Sequence, residues 1–135
     1  MKILIFGTFD HLHPGHEFVI NAAIKRGDVT VIVARDSNVK RIKGRQSDQS
    51  EGERMRVLQE SFPVVTVQLG DPTDFLAPVR AVYPDLILLG YDQKLPPGVS
   101  EKDFPCPVER LPAFNPNEYK SSIRRKEQRE QEGQR

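Results

Sequence analysis

Two histidines near the amino terminus have the residue type and spacing of a phosphate-binding site. His13 and His16 are three residues apart in the segment HPGH, and Pro14 between them suits the first turn of a helix. Residues three apart on a helix share one face, so both imidazoles can donate hydrogen bonds to the same ligand. A helix N-terminus adds unpaired N–H groups and partial positive charge, and Gly15 lets a phosphate approach the backbone closely. The segment therefore predicts that this helix binds phosphate groups.

Apolar runs and helical patterns alternate around this segment. Such alternation predicts an α/β fold, a single Rossmann-like domain whose parallel five-stranded sheet has helices on both faces. Ligands of such sheets bind beyond the carboxyl ends of the strands, where the strand order reverses. The first and fourth predicted strands end before Gly7 and Gly90, so the loops that follow them in the sequence belong to that edge of the sheet. We predict strands at 3–6, 29–34, 64–69, 86–89 and 108–111, helices at 14–26, 50–62 and 71–82, a polar mobile loop at 35–49, and a helix from 123.

The full segment GTFDHLHPGH, residues 7–16, resembles the G-x-F-D-x-x-H-x-G-H signature of the cytidylyltransferase-like nucleotidyltransferases. An isolated histidine pair would favour a capped helix with two surface histidines, but the complete pattern behind a first strand favours the site. The resemblance implies an enzyme that joins a phosphate-bearing substrate to the α-phosphate of a nucleoside triphosphate and releases pyrophosphate. The loop matches neither the dinucleotide-binding pattern nor the P-loop pattern.

Two further segments are similar to the archaeal-type FAD synthases within that superfamily. They are VARD at 33–36 with KRIKGR at 40–45, and LGYDQ at 89–93. This resemblance implies transfer of AMP from ATP to the phosphate of FMN. Two alternatives stay open: a glycerol-3-phosphate-type cytidylyltransferase that uses CTP and a phosphorylated polyol, and a catalytically weak nucleotide-binding regulatory module. The regulatory alternative rests on YKSSIR at 119–124, which matches the family's serine motif only in part.

The resemblance also implies roles for individual residues around the nucleotide. His13 and His16 are the expected catalytic residues, as hydrogen-bond donors to the phosphates. Asp10 is expected to organise the loop, because an ionised substrate phosphate needs no strong general base. The expected nucleotide-binding residues are both histidines with Thr8, Phe9, Pro14, Gly15, Asp92, Tyr119 and Ser122.

Four residues are expected to contact the second substrate. Lys40 and Lys43 can reach a phosphate, although a solvated basic loop is the alternative for both. Arg54 is placed near the active-site loop, with a salt bridge on the helix face as the alternative. Tyr91 offers an aromatic face, and ordinary packing explains it equally well.

Composition limits the remaining classes of function. The 135-residue chain has a formal net charge of +1, so a nucleic-acid partner is not expected. No apolar run is long enough for a membrane span or a signal peptide, and the single cysteine, Cys106, fits a cytoplasmic protein. We expect Mg²⁺ as a divalent cofactor that bridges the phosphates, no dedicated metal-ligand set, and a homodimer by analogy. The catalytic domain is expected to span 1–127, with a frayed tail at 128–135.

Overall fold

The structure is a computed structural model, and it describes residues 1–112. The sites predicted at Tyr119 and Ser122, the terminal helix, and the boundary near residue 127 lie outside these residues. The elements are β1 (Lys2–Gly7), α1 (Pro14–Ile24), β2 (Asp28–Val33), α2 (Asp36–Lys43), α3 (Glu51–Ser61), β3 (Thr66–Leu69), α4 (Ala77–Val82), β4 (Leu86–Leu89), a 3₁₀ turn (Glu101–Asp103) and β5 (Val108–Arg110).

All five strands are parallel, in the order β3-β2-β1-β4-β5. The chain therefore leaves β1 toward β2 on one side and later returns to place β4 on the other side. This reversal opens a crevice beyond the carboxyl end of β1, which is where ligands of doubly wound sheets bind. The predicted Rossmann-like fold is confirmed.

The central strands are apolar throughout because the sheet is covered on both faces. Ile3 and Ile5 of β1 point to the face on which α1 and α3 pack, whereas Leu4 and Phe6 point to the face covered by α4. Neighbouring side chains of a strand alternate between faces, so a strand buried on both faces needs an unbroken apolar run. The core thus holds β1 rigid up to the glycine at which the predicted phosphate loop begins.

The prediction of a mobile loop at 35–49 is wrong for the first half of this range, where the residues form α2. This helix buries one apolar residue, Val39, so its sequence has little of the apolar periodicity that identifies a helix. Its ends are nevertheless favourable: Asp36 lies in the first turn, basic residues lie in the last turn, and Gly44 ends the helix at φ 75°.

The helix predicted at 71–82 is also shorter than expected. The Asp71 carboxylate accepts hydrogen bonds from the backbone N–H groups of Thr73 and Asp74, at 2.9 and 2.7 Å, and this turn replaces the first helical turns. Pro78 then lies at the start of α4, where its missing N–H costs nothing.

Among residues 1–112, no helix combines the length and the apolar character needed to cross a bilayer.

Candidate active site

A cleft of about 1370 Å³ opens at the carboxyl edge of the sheet. The loop after β1, one side of α2, the turn before α4 and the loop after β4 all line it. Binding sites for one small molecule usually measure about 300–1,000 Å³. The cleft therefore has room for a nucleotide and a second substrate together.

His13 is the N-cap of α1, and this role determines which ring nitrogen carries its proton. Its Nδ1 accepts a hydrogen bond from the backbone N–H of Gly15 at 3.1 Å, so Nδ1 presents a lone pair. In a neutral imidazole the other nitrogen then carries the hydrogen. The Nε2–H of His13 is thus available as a donor, and both His13 and Gly15 line the cleft.

His16 stacks on His13, with the ring centroids 3.7 Å apart, and it meets the Phe9 ring edge to face, with those centroids 5.2 Å apart. Burial lowers the pKa of His16 from 6.5 to about 4, and electrostatic repulsion of a second proton by the neighbouring His13 and Lys43 contributes. The buried Nδ1 has no hydrogen-bond partner among residues 1–112, so a protonated ring would bury an unpaired N–H. His16 is therefore neutral at physiological pH.

The low pKa of His16 predicts a specific loss of stability in acid. The unfolded chain takes up a proton near pH 6.5 but the folded chain does so only near pH 4, so stability should fall as the pH drops across this window. We expect a loss on the order of 1–3 kcal/mol, because one pKa unit corresponds to about 1.4 kcal/mol and the ring is partly exposed. Urea unfolding of the wild type and of His16→Gln between pH 7 and 4 measures it.

The neutral glutamine variant should show a flatter profile across the same window. The carboxylates of Asp10 and Asp36 have lowered pKa values, and their contributions are lost only below about pH 4. Parallel pH profiles for the two proteins between pH 6.5 and 4 would show that His16 does not cause the loss.

The backbone between β1 and α1 turns sharply around Phe9. Phe9 and His11 both have positive φ, 55° and 54°, which is uncommon for residues other than glycine. The Phe9 ring folds back over Gly7, where an added Cβ would lie 3.1 Å from the ring. A side chain at position 7 would therefore require the Phe9 ring to shift by a few tenths of an ångström, and this buried ring packs against the imidazole of His16.

Arg54 holds the backbone of this loop from inside the protein. Its side chain is 0% exposed; Nη1 donates to the Thr8 carbonyl at 2.7 Å, Nε to the Gln49 carbonyl at 3.2 Å, and Nη2 to Asp36 Oδ1 at 2.7 Å. A guanidinium with no exposed surface does not touch a substrate in the cleft. Arg54 is thus a positioning residue here, which differs from both the substrate contact and the helix-face salt bridge considered from the sequence.

The two lysines predicted to bind the second substrate differ in their placement. Lys43 lines the cleft, and its Nζ donates to Thr8 Oγ1 at 3.1 Å. Lys40 is exposed and does not line the cleft, because it lies on the outer side of α2. On the opposite wall, Tyr91 is 51% exposed and Asp92 is exposed beside it, and both line the cleft.

Two positioning residues in the opposite wall were not predicted from the sequence. Gln93 donates from Nε2 to the Phe6 carbonyl at 2.7 Å, and its Oε1 accepts from the N–H of Gly90 at 3.0 Å. It therefore ties the carboxyl ends of β1 and β4 together. Arg110 donates from Nη1 to the carbonyls of Gly90 and Gln93, both at 2.8 Å. Gln93 belongs to the LGYDQ segment, which was a usable signal, but nothing near Arg110 in the sequence indicated its role.

One group of side chains within residues 1–112 brings possible metal ligands together. Single ligand atoms of Asp10, His11 and Asp48 lie within 4.8 Å of one another. Both oxygens of Asp10 already accept backbone N–H groups, from Asp48 and Gln49, each at 2.9 Å. Partial burial acts to raise the pKa of Asp10, but these hydrogen bonds outweigh it and hold the pKa below its ordinary value. The arrangement is that of a loop organiser, as predicted for Asp10.

Fold and site together define a Rossmann-like α/β domain in which two stacked imidazoles and a helix N-terminus face one cleft. The family model described as cytidylyltransferase-like matches residues 4–127. The chain belongs to this cytidylyltransferase-like family.

Relatives and solved structures agree with this assignment. A protein named FAD synthase from Methanosphaerula palustris is 44% identical over 99 residues, which is 73% of this chain and 63% of that protein, less than two thirds of its length. Another FAD synthase, from Methanolacinia petrolearia, is 35% identical over 90% of this chain and 84% of its own. The structure of a lipopolysaccharide core biosynthesis protein from Thermoplasma volcanium is similar with a TM-score of 0.74 and 29% identity, over 85% of this chain and 98% of that one.

Proposed function

We propose that this protein is an FMN adenylyltransferase, which transfers AMP from ATP to the phosphate of FMN and gives FAD and pyrophosphate. One observation carries the proposal: the stacked pair His13 and His16 lies at the N-terminus of α1 in a two-substrate cleft, in a chain whose relatives are named FAD synthases.

The reaction requires positioning and charge stabilisation rather than a covalent intermediate. A phosphate oxygen of FMN attacks the α-phosphorus of ATP, the bond from that phosphorus to the oxygen of the β-phosphate breaks, and pyrophosphate leaves. The FMN phosphate is already ionised at neutral pH, so no proton must be removed from it. His13 and His16 donate hydrogen bonds to the phosphate oxygens as charge shifts onto them, and the N–H groups of α1 support them.

A divalent ion, Mg²⁺, completes the proposed site. Mg²⁺ keeps several waters and is usually held by substrate phosphates with one or two carboxylates. The cleft residues fit this arrangement, because Asp92 is an exposed carboxylate in the cleft wall, whereas the oxygens of Asp10 are already engaged. When bound, the ion neutralises part of the charge on the triphosphate.

An apolar wall of the cleft favours a flavin as the second substrate. Phe75, Leu76, Leu95 and Val99 line the cleft and pack on the core face that contains Phe6. The Phe75 ring meets the Phe6 ring edge to face, with the centroids 4.9 Å apart. A three-ring flavin gains from such a surface, whereas the polyol of glycerol 3-phosphate has no apolar group to bury there. This contrast supports FMN over the cytidylyltransferase substrate.

The substrate assignment is tested by comparing two substrate pairs. With Mg²⁺ present, ATP and FMN should release pyrophosphate and form FAD, while CTP and glycerol 3-phosphate at matched concentrations should release little or none. Pyrophosphate release and chromatographic detection of FAD are the two measurements. The double variant His13→Ala/His16→Ala, purified in the same way, controls for contaminating activity, and omission of Mg²⁺ tests the cofactor.

The outcomes separate the open alternatives. Faster turnover of the CTP pair would reassign the protein to the cytidylyltransferases within the same family. Binding of ATP without pyrophosphate release, with either acceptor, would support the regulatory module instead.

A further inference from the structure

The chain between α2 and α3 is fastened to the loop after β1 by a set of hydrogen bonds. We call Asp10, His11, Asp48 and Gln49 the clasp. The carboxylate of Asp10 accepts from the N–H groups of Asp48 and Gln49, each at 2.9 Å. In return, Gln49 Oε1 accepts from the N–H of His11 at 2.9 Å, and His11 Nε2 lies 3.0 Å from Asp48 Oδ2. Each segment thus donates hydrogen bonds to the other, although His11 and Gln49 are 38 positions apart in the sequence.

The clasp is anchored to the interior of the protein at one residue, Gln49. The buried Arg54 donates from Nε to the Gln49 carbonyl, and the hydroxyl of Ser47 donates to the same oxygen at 2.7 Å. Gln49 therefore uses its backbone N–H, its backbone carbonyl and its side-chain oxygen at once. Because three of its groups are hydrogen-bonded, Gln49 fixes the position of the segment that precedes it in the sequence.

The segment that the clasp fixes contributes positive charge to the cleft. Arg41, Lys43 and Arg45, at the end of α2 and just beyond it, are exposed and line the cleft. Gly44, at φ 75°, follows Lys43 and ends α2, and Arg45 is separated from Gln49 by only three residues outside regular structure. Without the clasp, the segment would keep the single bonds of Lys43 to Thr8 and of Ser47 to Asp36 and its links to α2 and α3, and its cations would spread over a wider volume. Opposite charges stabilise each other less when their mean distance grows.

We propose that Gln49 is a positioning residue for the triphosphate, which acts by holding Lys43 and Arg45 beside the phosphate loop. The inference rests on the proposed function, since it takes the cleft to bind a nucleoside triphosphate. Gln49 does not line the cleft, and in this proposal its effect reaches the phosphates through these two cations.

The first test measures the affinity for ATP with Mg²⁺ by calorimetry, in the whole protein. Gln49→Leu keeps the size of the side chain but removes the acceptor for the N–H of His11. We expect the Kd for ATP to rise roughly fivefold, the change that one net hydrogen bond of ordinary strength represents. The matched control is Gln59→Leu, which removes a 2.9 Å hydrogen bond from Gln59 to the Val65 carbonyl, away from the cleft, and should leave the Kd unchanged.

A double-mutant cycle separates positioning from general loosening of the fold. In a Lys43→Met/Arg45→Met background, adding Gln49→Leu should change the Kd for ATP by less than twofold, because the groups through which Gln49 acts are gone. A full fivefold change in that background would overturn the proposal, and so would a wild-type Kd for Gln49→Leu alone.

Digestion by trypsin tests the proposal without measuring the AMP-transfer activity of the protein. Trypsin cleaves after lysine and arginine, so Gln49→Leu should be cut faster at 41–45 than Gln59→Leu, and equal rates in the two variants would count against the proposal. If the wild type binds ATP but forms no FAD, the proposed function fails while the role of Gln49 is still decided by the binding data.

Discussion

Replacing His13 or His16 with alanine is expected to lower the rate of AMP transfer by roughly two to three orders of magnitude, the usual loss when one preorganised donor to a developing charge is removed. The two rings stack at 3.7 Å on the first turn of α1, so each variant removes one donor from the same point of the cleft. The measurement is pyrophosphate release at saturating ATP and FMN. Circular dichroism and thermal unfolding of each variant show whether the fold is intact.

A glutamine at position 16 distinguishes donation from packing. His16 is neutral in the folded protein, because its pKa lies near 4, and its function therefore requires an N–H group rather than a positive charge. His16→Gln retains such a donor and should keep more activity than His16→Ala. Near-normal turnover in both alanine variants, with folding intact, would remove the histidines from the mechanism.

Replacing Arg54 with methionine is expected to reduce the free energy of unfolding by about 2–3 kcal/mol. Removing one partner of a buried ion pair usually costs about 3–5 kcal/mol, and Asp36 is 41% exposed, so water can solvate part of the charge that remains. In the same step the Thr8 carbonyl loses the Arg54 donor, and the Gln49 carbonyl keeps only the hydrogen bond from the Ser47 hydroxyl. Urea unfolding measures the change, and activity should fall with it because Thr8 belongs to the phosphate loop.

Arg56, on the same helix, provides the matched control. Its side chain is 58% exposed and pairs with Glu53 and Glu60 on the helix surface. Exposed pairs of this kind contribute about 0.3–0.5 kcal/mol, so Arg56→Met should unfold within roughly 0.5 kcal/mol of the wild type. Similar reductions of the free energy of unfolding in the two variants would mean that the burial of Arg54 does not determine its contribution to stability.

The local sequence determined the class of fold and the centre of the site. Apolar runs such as 3–6 and 86–89 predict strands buried on both faces, because only such strands need apolar side chains at every position. His13, Pro14, Gly15 and His16 are contiguous, so the helix start, the cap and the shared face of the imidazoles all follow from neighbours in the chain. Interactions within a few residues can be inferred without knowing the rest of the structure.

The tertiary structure decided how that centre is supported. Arg54 reaches the Thr8 carbonyl across 46 positions, and Gln93 reaches the Phe6 carbonyl across 87. Neither acceptor is visible in a sequence, because every residue except proline offers the same N–H and carbonyl groups. Helix α2 was missed for a related reason: it buries only Val39, and its favourable ends alone do not distinguish it from a polar loop. These residues meet because parallel strands bring loops from distant parts of the chain to one edge of the sheet, and only the folded chain shows which of them touch.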